Sequence, residues 1–345
     1  MNNDLNNNQH YITESFVKKR FGTDGFVKRY DVKWDKWKLN ASPQFVFSGK
    51  GYTQLLIDGE PVENSLEESF SKLESRLKCI LPVLDRAAKN GAAKFNERLY
   101  RDFCFYCSYL WHLSPYAKAK ATPEYVHQLD IDLKHGNVKH LQDLQVSEAN
   151  IVMMQKLHAD GYKFIIQGQN YMQWVFRTQF VRNTNKQAGI FRHFVQWKVY
   201  NSPIELPISD IALVDYPERG NAATLFILPL SPHLVLVGKL EYGTPMPYYS
   251  TDTVIHGDTL SPETAEDILD VICLSGIKAI ACKNKMDIAA YRERAKQKKI
   301  GFTKITDLEA VLSASTKTFN PEKDFRLIQT NTEGFVKFCH SFVLP

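Results

Sequence analysis

The densest group of residues that could do chemistry is a run of basic side chains between Lys283 and Lys299. Its seven members are Lys283, Lys285, Arg292, Arg294, Lys296, Lys298 and Lys299. Lys and Arg neutralise phosphate groups, and a cluster of them is the electrostatic footprint of a nucleic-acid contact. The run therefore predicts RNA or DNA binding, and the alternative is a solvated helix face.

Cys104 and Cys107 have the two-residue spacing of a metal or redox pair. Both lie inside a predicted helix, however, and no second pair follows them in the sequence. A free Cys is among the residue types that are most often buried. We therefore predict that this pair belongs to the core and not to a metal site.

Basic and aromatic residues are interleaved over residues 28–38. The set is Lys28, Arg29, Tyr30, Lys33, Trp34, Lys36, Trp37 and Lys38. Such side chains could stack on nucleobases and neutralise phosphates. Because Asp31 and Asp35 lie among them, we favour the alternative, a half-exposed edge strand from Phe26 to Trp37 with one solvated face.

The balance of charges places the chain among mildly basic globular proteins. Its 345 residues include 43 Lys and Arg against 38 Asp and Glu, a formal net charge of +5. This permits polyanion binding but falls short of a dedicated nucleic-acid module. The six cysteines are scattered, which favours a reducing compartment. With no signal-peptide pattern and no apolar run of ~18 residues, the sequence predicts a cytoplasmic protein without membrane contact.

Several common catalytic signatures are missing from the sequence. It has no Gly-rich phosphate loop, no dinucleotide-binding fingerprint, no Gly-x-Ser-x-Gly elbow and no His-Glu-x-x-His helix. Arg101 and His112 are too far apart on one helix to form the compact Arg and His pair of helical ribonucleases. The nucleotide, hydride-transfer and common hydrolase interpretations therefore lose their usual support.

Two long helices are predicted in the first half of the chain. Ser65-Leu66-Glu67-Glu68 fits a capping box, and apolar residues then recur at three- and four-residue spacing. Gly91 ends this helix, and a second one follows from about Ala93 to His112. We expect the two to pair as an antiparallel hairpin. A later helix should begin at Ser261-Pro262-Glu263, with Ser as the cap and Pro in the first turn.

The stretch from Phe191 to Lys239 predicts consecutive strands. Its apolar runs Ala223–Leu228 and Leu234–Val237 are continuous, which is typical of strands buried on both faces. We assign the fold class as α+β. The expected order is an N-terminal β segment, a helical middle, an antiparallel sheet around residues 191–240 and further helices towards the C-terminus.

The domain organisation is expected to be simple. Residues 1–9 are rich in Asn with little to bury, which predicts a disordered tail. Residues 10–345 should form a single domain around a shared core. Within it, a helical subdomain at 61–185 and a sheet-containing subdomain at 186–345 are the natural division.

Several short motifs come in an order that resembles a known family. They are His10-Tyr11-Ile12, Phe16-Val17-Lys18-Lys19-Arg20-Phe21, Asn64-Ser65-Leu66-Glu67 with Leu73-Glu74, Trp197-Lys198-Val199, Ile208-Ser209-Asp210 and Leu228-Pro229-Leu230-Ser231-Pro232. Together they resemble the domain of unknown function 4238 family over roughly residues 10–280. Three features depart from the family pattern, one of which is that the aromatic residue after the basic pair falls one residue late. Thr13 stands where the family usually has Pro, and Asp210 is not followed by the usual Asn-Pro.

The resemblance singles out His10, Glu67, Glu74 and Asp210 as site residues. Glu67 and Glu74 are seven residues apart and so lie two turns apart on one helix face. Carboxylates at the edge of a core need partners, and His10 and Asp210 are candidates. One His and three carboxylates could form a catalytic site that holds a divalent metal for phosphodiester hydrolysis. The alternative is a structural polar network that fixes the N-terminal segment in place.

For function, the resemblance implies a bacterial cytoplasmic protein associated with antiphage defence. One interpretation is an effector that acts on nucleic acid as a metal-dependent nuclease, with the basic run holding the substrate. The other is a non-catalytic sensor or interaction protein that recognises a phage component or a protein partner.

Overall fold

The computed structural model describes residues 8–50, 55–57, 60–63, 65–114, 134–139, 148–159, 164–165, 187–217, 223–241, 253–298 and 326–327. The fold is α+β, as the sequence predicts, with strands at the N-terminal end, helices after them, and a mixture of strands and helices later in the chain. Within the described ranges, no helix is both long and apolar enough to span a membrane.

In chain order the strands are β1 (Asn8–His10), β2 (Val27–Asp31), β3 (Lys36–Ala41), β4 (Ser48–Lys50), β5 (Leu55–Ile57), β6 (Glu60–Glu63), β7 (Ala92–Lys94), β8 (Phe164–Ile165), β9 (Gln196–Asn201), β10 (Ile208–Ser209), β11 (Val214–Pro217), β12 (Ala223–Ser231), β13 (Leu234–Glu241), β14 (Val254–Thr259), β15 (Ala279–Cys282) and β16 (Arg326–Leu327). The helices are α1 (Glu14–Phe21), α2 (Ser65–Asn90), α3 (Glu97–Leu113), α4 (Glu148–Ala159), α5 (Pro262–Ser275) and α6 (Ile288–Gln297), with a 3-10 helix at Pro43–Phe45 and a helical stretch over 187–194.

Six strands form the largest sheet, in the order β11-β12-β13-β9-β14-β7. Neighbouring strands are antiparallel except for β14 and β9, which are parallel. The predicted antiparallel sheet is therefore present and is extended at one side by β14 and β7. The predicted start at Phe191 is corrected to Gln196, because residues 191–194 are helical. The Phe191 carbonyl, in the last turn of that stretch, accepts the indole N–H of Trp197 at 3.2 Å.

β12 and β13 form a hairpin that is apolar on both faces, as the continuous apolar runs predict. Leu228 pairs with Leu236, and both side chains enter the same core, whereas Ile227 enters the core on the opposite face. Pro229 lies inside β12, where the register shifts between Pro229 and Ser231. A bulge is a position at which a strand tolerates a residue without an N–H.

α2 and α3 pack together with the sheet around what we call the first core. Leu84 of α2, Phe103 of α3 and Trp197 of β9 are all buried there. The Phe103 and Trp197 rings meet edge to face, with centroids 5.4 Å apart. The two helices are in contact, but β7 lies between them in the chain and joins the sheet. The predicted hairpin is thus interrupted by a strand.

The ends of α2 and α3 are fixed by local chemistry. Gly91, with φ 79°, follows the last residue of α2, in a conformation that glycine adopts without steric cost. Asn96 caps α3, and its side chain accepts the N–H of Leu99 at 2.8 Å. α3 therefore begins at Glu97, later than the predicted Ala93.

A second sheet has the order β10-β15-β2-β3. The single strand predicted from Phe26 to Trp37 is a hairpin, in which β2 ends at Asp31 and β3 begins at Lys36. Asp31 Oδ1 accepts the N–H of Trp34 at 3.2 Å, and Asp35 has φ 49°, both of which are turn conformations that Asp favours.

α5 and α6 enclose a second core on the other side of the sheets. Ile272 of α5 and Ile288 of α6 are fully buried there beside Val235 of β13. α5 begins as predicted, with Ser261 as N-cap and Pro262 in the first turn. Adjacent residues of β15 face different cores, since Ala281 belongs to the first and Ile280 to the second.

The N-terminal strand β1 pairs with β4. Asn8 and Gln9 of the predicted tail therefore belong to a strand, and residues 1–7 lie outside the described residues. Two more two-stranded ladders join β5 with β6 and β8 with β16.

Candidate functional site

A cleft of about 830 Å³ opens beside α1. Its lining consists of residues from the N-terminal segment and one residue of α2: His10, Thr13, Glu14, Ser15, Lys18, Lys19, Gly22, Asp24, Gly25 and Glu74. The volume lies in the range of small-molecule sites. His10 and Glu74, two of the four predicted catalytic residues, are thus brought to one cleft.

α1 presents one face to this cleft and the other to the first core. The cleft-lining residues are four positions apart, so that Lys18 follows Glu14 and Lys19 follows Ser15 on the same face. The opposite face is buried and apolar, with Phe16, Val17 and Phe21. Burial of that face therefore fixes which side of α1 the two lysines occupy.

An ion pair holds α1 against α2. Arg20 Nη2 donates to both carboxylate oxygens of Asp85, at 3.0 and 2.8 Å. The pair is partly solvent-exposed, so its contribution to stability is modest. The ion pair matters for the cleft because it fixes α1 relative to α2, and α2 carries Glu74.

Thr13 is the N-cap residue of α1, but its hydroxyl does not cap the helix. Its carbonyl accepts the N–H groups of Phe16 and Val17, each at 3.1 Å. The side chain is only 7% exposed and lines the cleft, and Oγ1 has no hydrogen bond of normal geometry. A buried hydroxyl ordinarily has a partner. The neighbour of Thr13 Oγ1 is the buried Tyr106 hydroxyl, with which it interacts. The helix dipole favours an anion at the exposed side of this helix start.

A tight turn forms another wall of the cleft. Thr23 and Phe26 exchange backbone hydrogen bonds of 2.8 and 3.0 Å, and the two residues between them, Asp24 and Gly25, have φ 52° and 84°. Positive φ at both central positions defines a type I′ turn, for which Asp-Gly is a preferred sequence. The turn places Asp24 and Gly25 at the cleft and leaves Phe26 47% exposed beside it.

His10 reaches the cleft from the end of β1. Its Nε2 lies 3.0 Å from the carbonyl oxygen of Gln44. A carbonyl oxygen can only accept, so Nε2 carries the hydrogen. In the neutral ring, Nδ1 is then the atom with a lone pair, and it can take a proton.

Glu74 lines the cleft and lies near enough to the buried Tyr106 hydroxyl to affect its pKa. Burial raises the pKa of Tyr106 well above its usual value, and the negative charge of Glu74 raises it further. The interaction with the Thr13 hydroxyl lowers the pKa of Tyr106, but by less. Tyr106 therefore stays protonated. Glu74 and Thr13 both line the cleft, so the two neighbours of the buried Tyr106 hydroxyl lie at its surface.

Asp210 lies in a different part of the fold, where it holds the loop after α5. Its two carboxylate oxygens accept the backbone N–H groups of Ile277 at 2.8 Å and Lys278 at 2.7 Å. The residue is 1% exposed. Burial raises its pKa to about 6, although these N–H donors lower it. Its role is thus structural, and it is not among the residues that line the cleft.

The described side chains do not assemble the predicted four-residue metal cluster. In the described part of the chain, no group of three or more His, Cys, Asp or Glu side chains could hold a metal ion. His10, Glu74 and Asp210 therefore do not form such a group. Glu67 belongs to α2, but its side chain lies outside the described residues.

The basic run also has a different arrangement from the predicted substrate surface. Arg292 Nη1 donates to the carbonyl oxygens of Cys273 at 2.6 Å and Gly276 at 2.9 Å, and so closes the C-terminal end of α5. Arg294 and Lys298 bind Asp270, whose side chain is fully buried, at 2.7 and 2.9 Å. These three cations hold α6 against α5.

The other members of the run differ in exposure. Lys283, Lys285 and Lys296 are exposed, and Lys299 lies outside the described residues. Three cations of the predicted nucleic-acid surface therefore remain available to a ligand among the residues that the structure describes. The other three could bind a phosphate only by giving up contacts within the protein.

The Cys104 and Cys107 pair is buried in α3, as predicted. Burial raises the pKa of the Cys104 thiol to about 12 and that of Cys107 well above its usual value. Metal coordination and redox chemistry require the thiolate. The two cysteines therefore act as small apolar core residues.

Sequence reasoning missed the cleft itself. Lys18 and Lys19 appeared only as part of a family motif, and Thr13 only as a departure from the family pattern. The available signals were the Asp24-Gly25 dipeptide, which predicts a tight turn, and the four-residue spacing of polar residues on α1.

Comparison with known proteins does not extend these observations. No family model, no curated protein and no solved structure matches the chain. The resemblance to the domain of unknown function 4238 family therefore stays a prediction.

Proposed function

We propose that the protein acts on nucleic acid and that the cleft beside α1 is its site. One observation carries the proposal. His10 and Glu74, two groups that can transfer protons and that are 64 positions apart, line the same cleft as Lys18 and Lys19. An acid, a base and two cations are the parts that metal-free cleavage of a phosphodiester needs.

Each group has a role that follows from its placement. Lys18 and Lys19 attract the phosphate, and backbone N–H groups at the start of α1 donate to one of its oxygens. His10 takes a proton on Nδ1, because Nε2 is committed to the Gln44 carbonyl. Glu74 takes the proton of the attacking hydroxyl, either the 2′-hydroxyl of RNA or a water molecule, as that oxygen bonds to phosphorus. His10 then gives its Nδ1 proton to the oxygen that leaves as the P–O bond breaks. The proposal keeps the bacterial, cytoplasmic setting of antiphage defence that the family resemblance implies.

A second candidate function is a non-catalytic sensor or interaction protein that recognises a phage component or a protein partner in the same cleft. One observation favours it. The acidic side chains of Glu14 and Asp24 line the cleft beside the two lysines, and carboxylates there disfavour a polyanion.

The first experiment measures binding and cleavage of labelled single-stranded RNA, single-stranded DNA and duplex DNA, with and without Mg²⁺ or Mn²⁺. We expect Lys18→Glu with Lys19→Glu to weaken binding at least tenfold, and the wild-type affinity to fall with salt. Lys89→Glu with Lys94→Glu is the matched control, because both lysines are exposed and outside the cleft.

The second measurement separates the two candidates. His10→Gln retains an N–H donor for the Gln44 carbonyl, and Glu74→Gln retains the shape of Glu74. Both should reduce cleavage about 100-fold or more while affinity and melting temperature stay near the wild-type values. Binding without cleavage in the wild type selects the non-catalytic sensor. If no oligonucleotide binds, or if both double variants behave alike, the cleft is not a nucleic-acid site.

A further inference from the structure

Four large apolar side chains are exposed within one short segment around the β2–β3 hairpin. Phe26, Trp34, Leu39 and Phe45 are 47%, 63%, 52% and 52% exposed. Exposed apolar groups that lie close together mark interaction sites more often than isolated ones do. The basic run begins beside this segment, because Lys28 Nζ of β2 donates to the Lys283 carbonyl at 2.9 Å.

β3 is the outer strand of its sheet in the part of the chain that the structure describes. Lys36, Lys38, Leu39 and Asn40 are all exposed. An edge strand of this kind presents backbone N–H and C=O groups that can pair with an added strand. Lysines on an edge strand often prevent unwanted pairing with other chains. That role does not explain why the apolar side chains of Trp34 and Leu39 are exposed beside them.

The two faces of β3 differ in chemistry. Successive side chains alternate, so that Lys36 and Lys38 lie on one face and Trp37 on the other. Leu39 lies where the register of the β2–β3 pairing shifts. Trp37 packs against the second core, and its ring centroid is 5.4 Å from that of Tyr30. Leu39, two residues further along β3, is 52% exposed.

The positive charge on the lysine face is not balanced locally. Opposite Lys38 and Lys36 on β2 lie Arg29 and Asp31, which pair with each other at 3.6 Å. Asp31 is thus already paired with Arg29. A strand added beside β3 would place its own side chains against Lys36 and Lys38 on one face and beside Trp37 on the other.

We propose that the edge of β3 binds an extended segment of another protein in which acidic and apolar residues alternate. The acidic residues face Lys36 and Lys38, the apolar residues extend the second core beyond Trp37, and the backbones pair as in a sheet. The proposal concerns a different surface from the cleft and does not depend on nucleic-acid cleavage.

Two other occupants fit the same surface less well. A second copy of this chain would bring lysines of two β3 strands together, and like charges across a strand pair are unfavourable. A single-stranded nucleic acid needs open aromatic faces, but Tyr30 is buried and Lys33 Nζ lies 4.8 Å from the centre of the Trp34 ring. The Tyr30 ring is therefore closed to a base, and one face of the Trp34 ring is occupied by Lys33.

The test uses the full-length protein and a fluorescent peptide, acetyl-Glu-Val-Glu-Val-Glu-Val-Glu-amide, with binding followed by anisotropy. We expect Lys36→Glu with Lys38→Glu to weaken binding at least tenfold and to create binding of the matching Lys-Val peptide. Lys89→Glu with Lys94→Glu is the control, since these lysines are exposed on α2 and β7, outside the sheet that contains β3. Leu39→Ser should weaken binding without changing this charge preference.

A second peptide, with Pro in place of the central Val, keeps the charge but removes one backbone donor and should bind at least tenfold more weakly. Equal binding of both peptides would reduce the contact to charge alone and overturn the proposal. So would wild-type affinity in the Lys36→Glu, Lys38→Glu variant with unchanged circular dichroism. Binding of an oligonucleotide in place of the peptide, or a dimer that this variant dissociates, would assign the edge to another occupant.

Discussion

Three acidic residues show how position decides what a carboxylate does. Asp270 is fully buried and bound by Arg294 and Lys298, Asp210 is buried and bound by backbone N–H groups, and Glu74 lines a cleft. The partners of Asp210 lie 67 and 68 positions away in sequence. Sequence patterns identify the acid, but they do not reveal partners at such separations.

Asp210→Asn is expected to remove one pH-dependent component of stability. Burial raises the pKa of Asp210 to about 6 from an ordinary value of 3.8. Between about pH 4 and pH 6 the unfolded chain has lost this proton while the folded chain keeps it, so stability falls as pH rises. The fall is about 3 kcal/mol for a pKa difference of about two, and it is complete above pH 6.

Urea unfolding between pH 4 and pH 8 checks this expectation. The Asn variant should lack this fall in the free energy of unfolding. It should also be less stable by about 1–3 kcal/mol at pH 4, because its NH₂ group cannot accept a backbone N–H. Parallel pH profiles for the variant and the wild type would contradict the assigned cause.

At the scale of single elements, local chemistry was predictable and pairing was not. The helix starts at Ser65 and Ser261 and the apolar β12–β13 hairpin were predicted, because caps and continuous apolar runs are local signals. The β2–β3 turn was missed, because the alternating pattern continues through it from Tyr30 to Trp37, which pair across the two strands.

The basic run shows the same limit. On sequence grounds seven cations near one another predict a polyanion site, but α5 carries acidic residues at three- and four-residue spacing on the face that meets α6. Arg294 contacts Glu266 and Asp270, and Lys298 contacts Asp267. A complementary acidic stripe on the preceding helix was the signal that could have identified a helix interface.

Gly257→Ala is expected to destabilise the contact between β14 and α2. A Cβ atom at Gly257 would overlap the carbonyl group of Ala87 in α2, and the backbone N–H of Gly257 donates to the Gly91 carbonyl at 2.8 Å. Neither backbone can move without disturbing the sheet or the helix end. We expect a loss of about 1–3 kcal/mol, as for other overpacked sites.

Thermal unfolding compares this variant with Gly189→Ala, a matched control. A Cβ atom at Gly189 would meet nothing within 4 Å, and the residue lies in the helical stretch 187–194. The control should be neutral or slightly more stable, because Ala favours a helix. An unchanged melting temperature for Gly257→Ala would show that β14 does not lie against α2 as described.

At the scale of the whole molecule, the sheets connect the two cores. Neighbouring residues of one strand enter different cores: Leu236 of β13 belongs to the first and Val235 to the second. β7, from the predicted helical subdomain, is a strand of the sheet that the later part of the chain supplies. We therefore expect the two cores to unfold together, although the helices that cover them come from distant parts of the sequence.

Ile272→Ala in α5 and Leu84→Ala in α2 test this expectation, because they create cavities in different cores. Each should lower the free energy of unfolding by about 2–5 kcal/mol, and Val152→Ala, at a residue that is 58% exposed, should change it little. Hydrogen exchange read by mass spectrometry distinguishes the outcomes. If the cores form one cooperative unit, Ile272→Ala speeds exchange in α2 and α3 as much as in α5 and α6, since both then open through global unfolding. If only α5 and α6 exchange faster while α2 and α3 stay protected, the two cores belong to units that unfold independently.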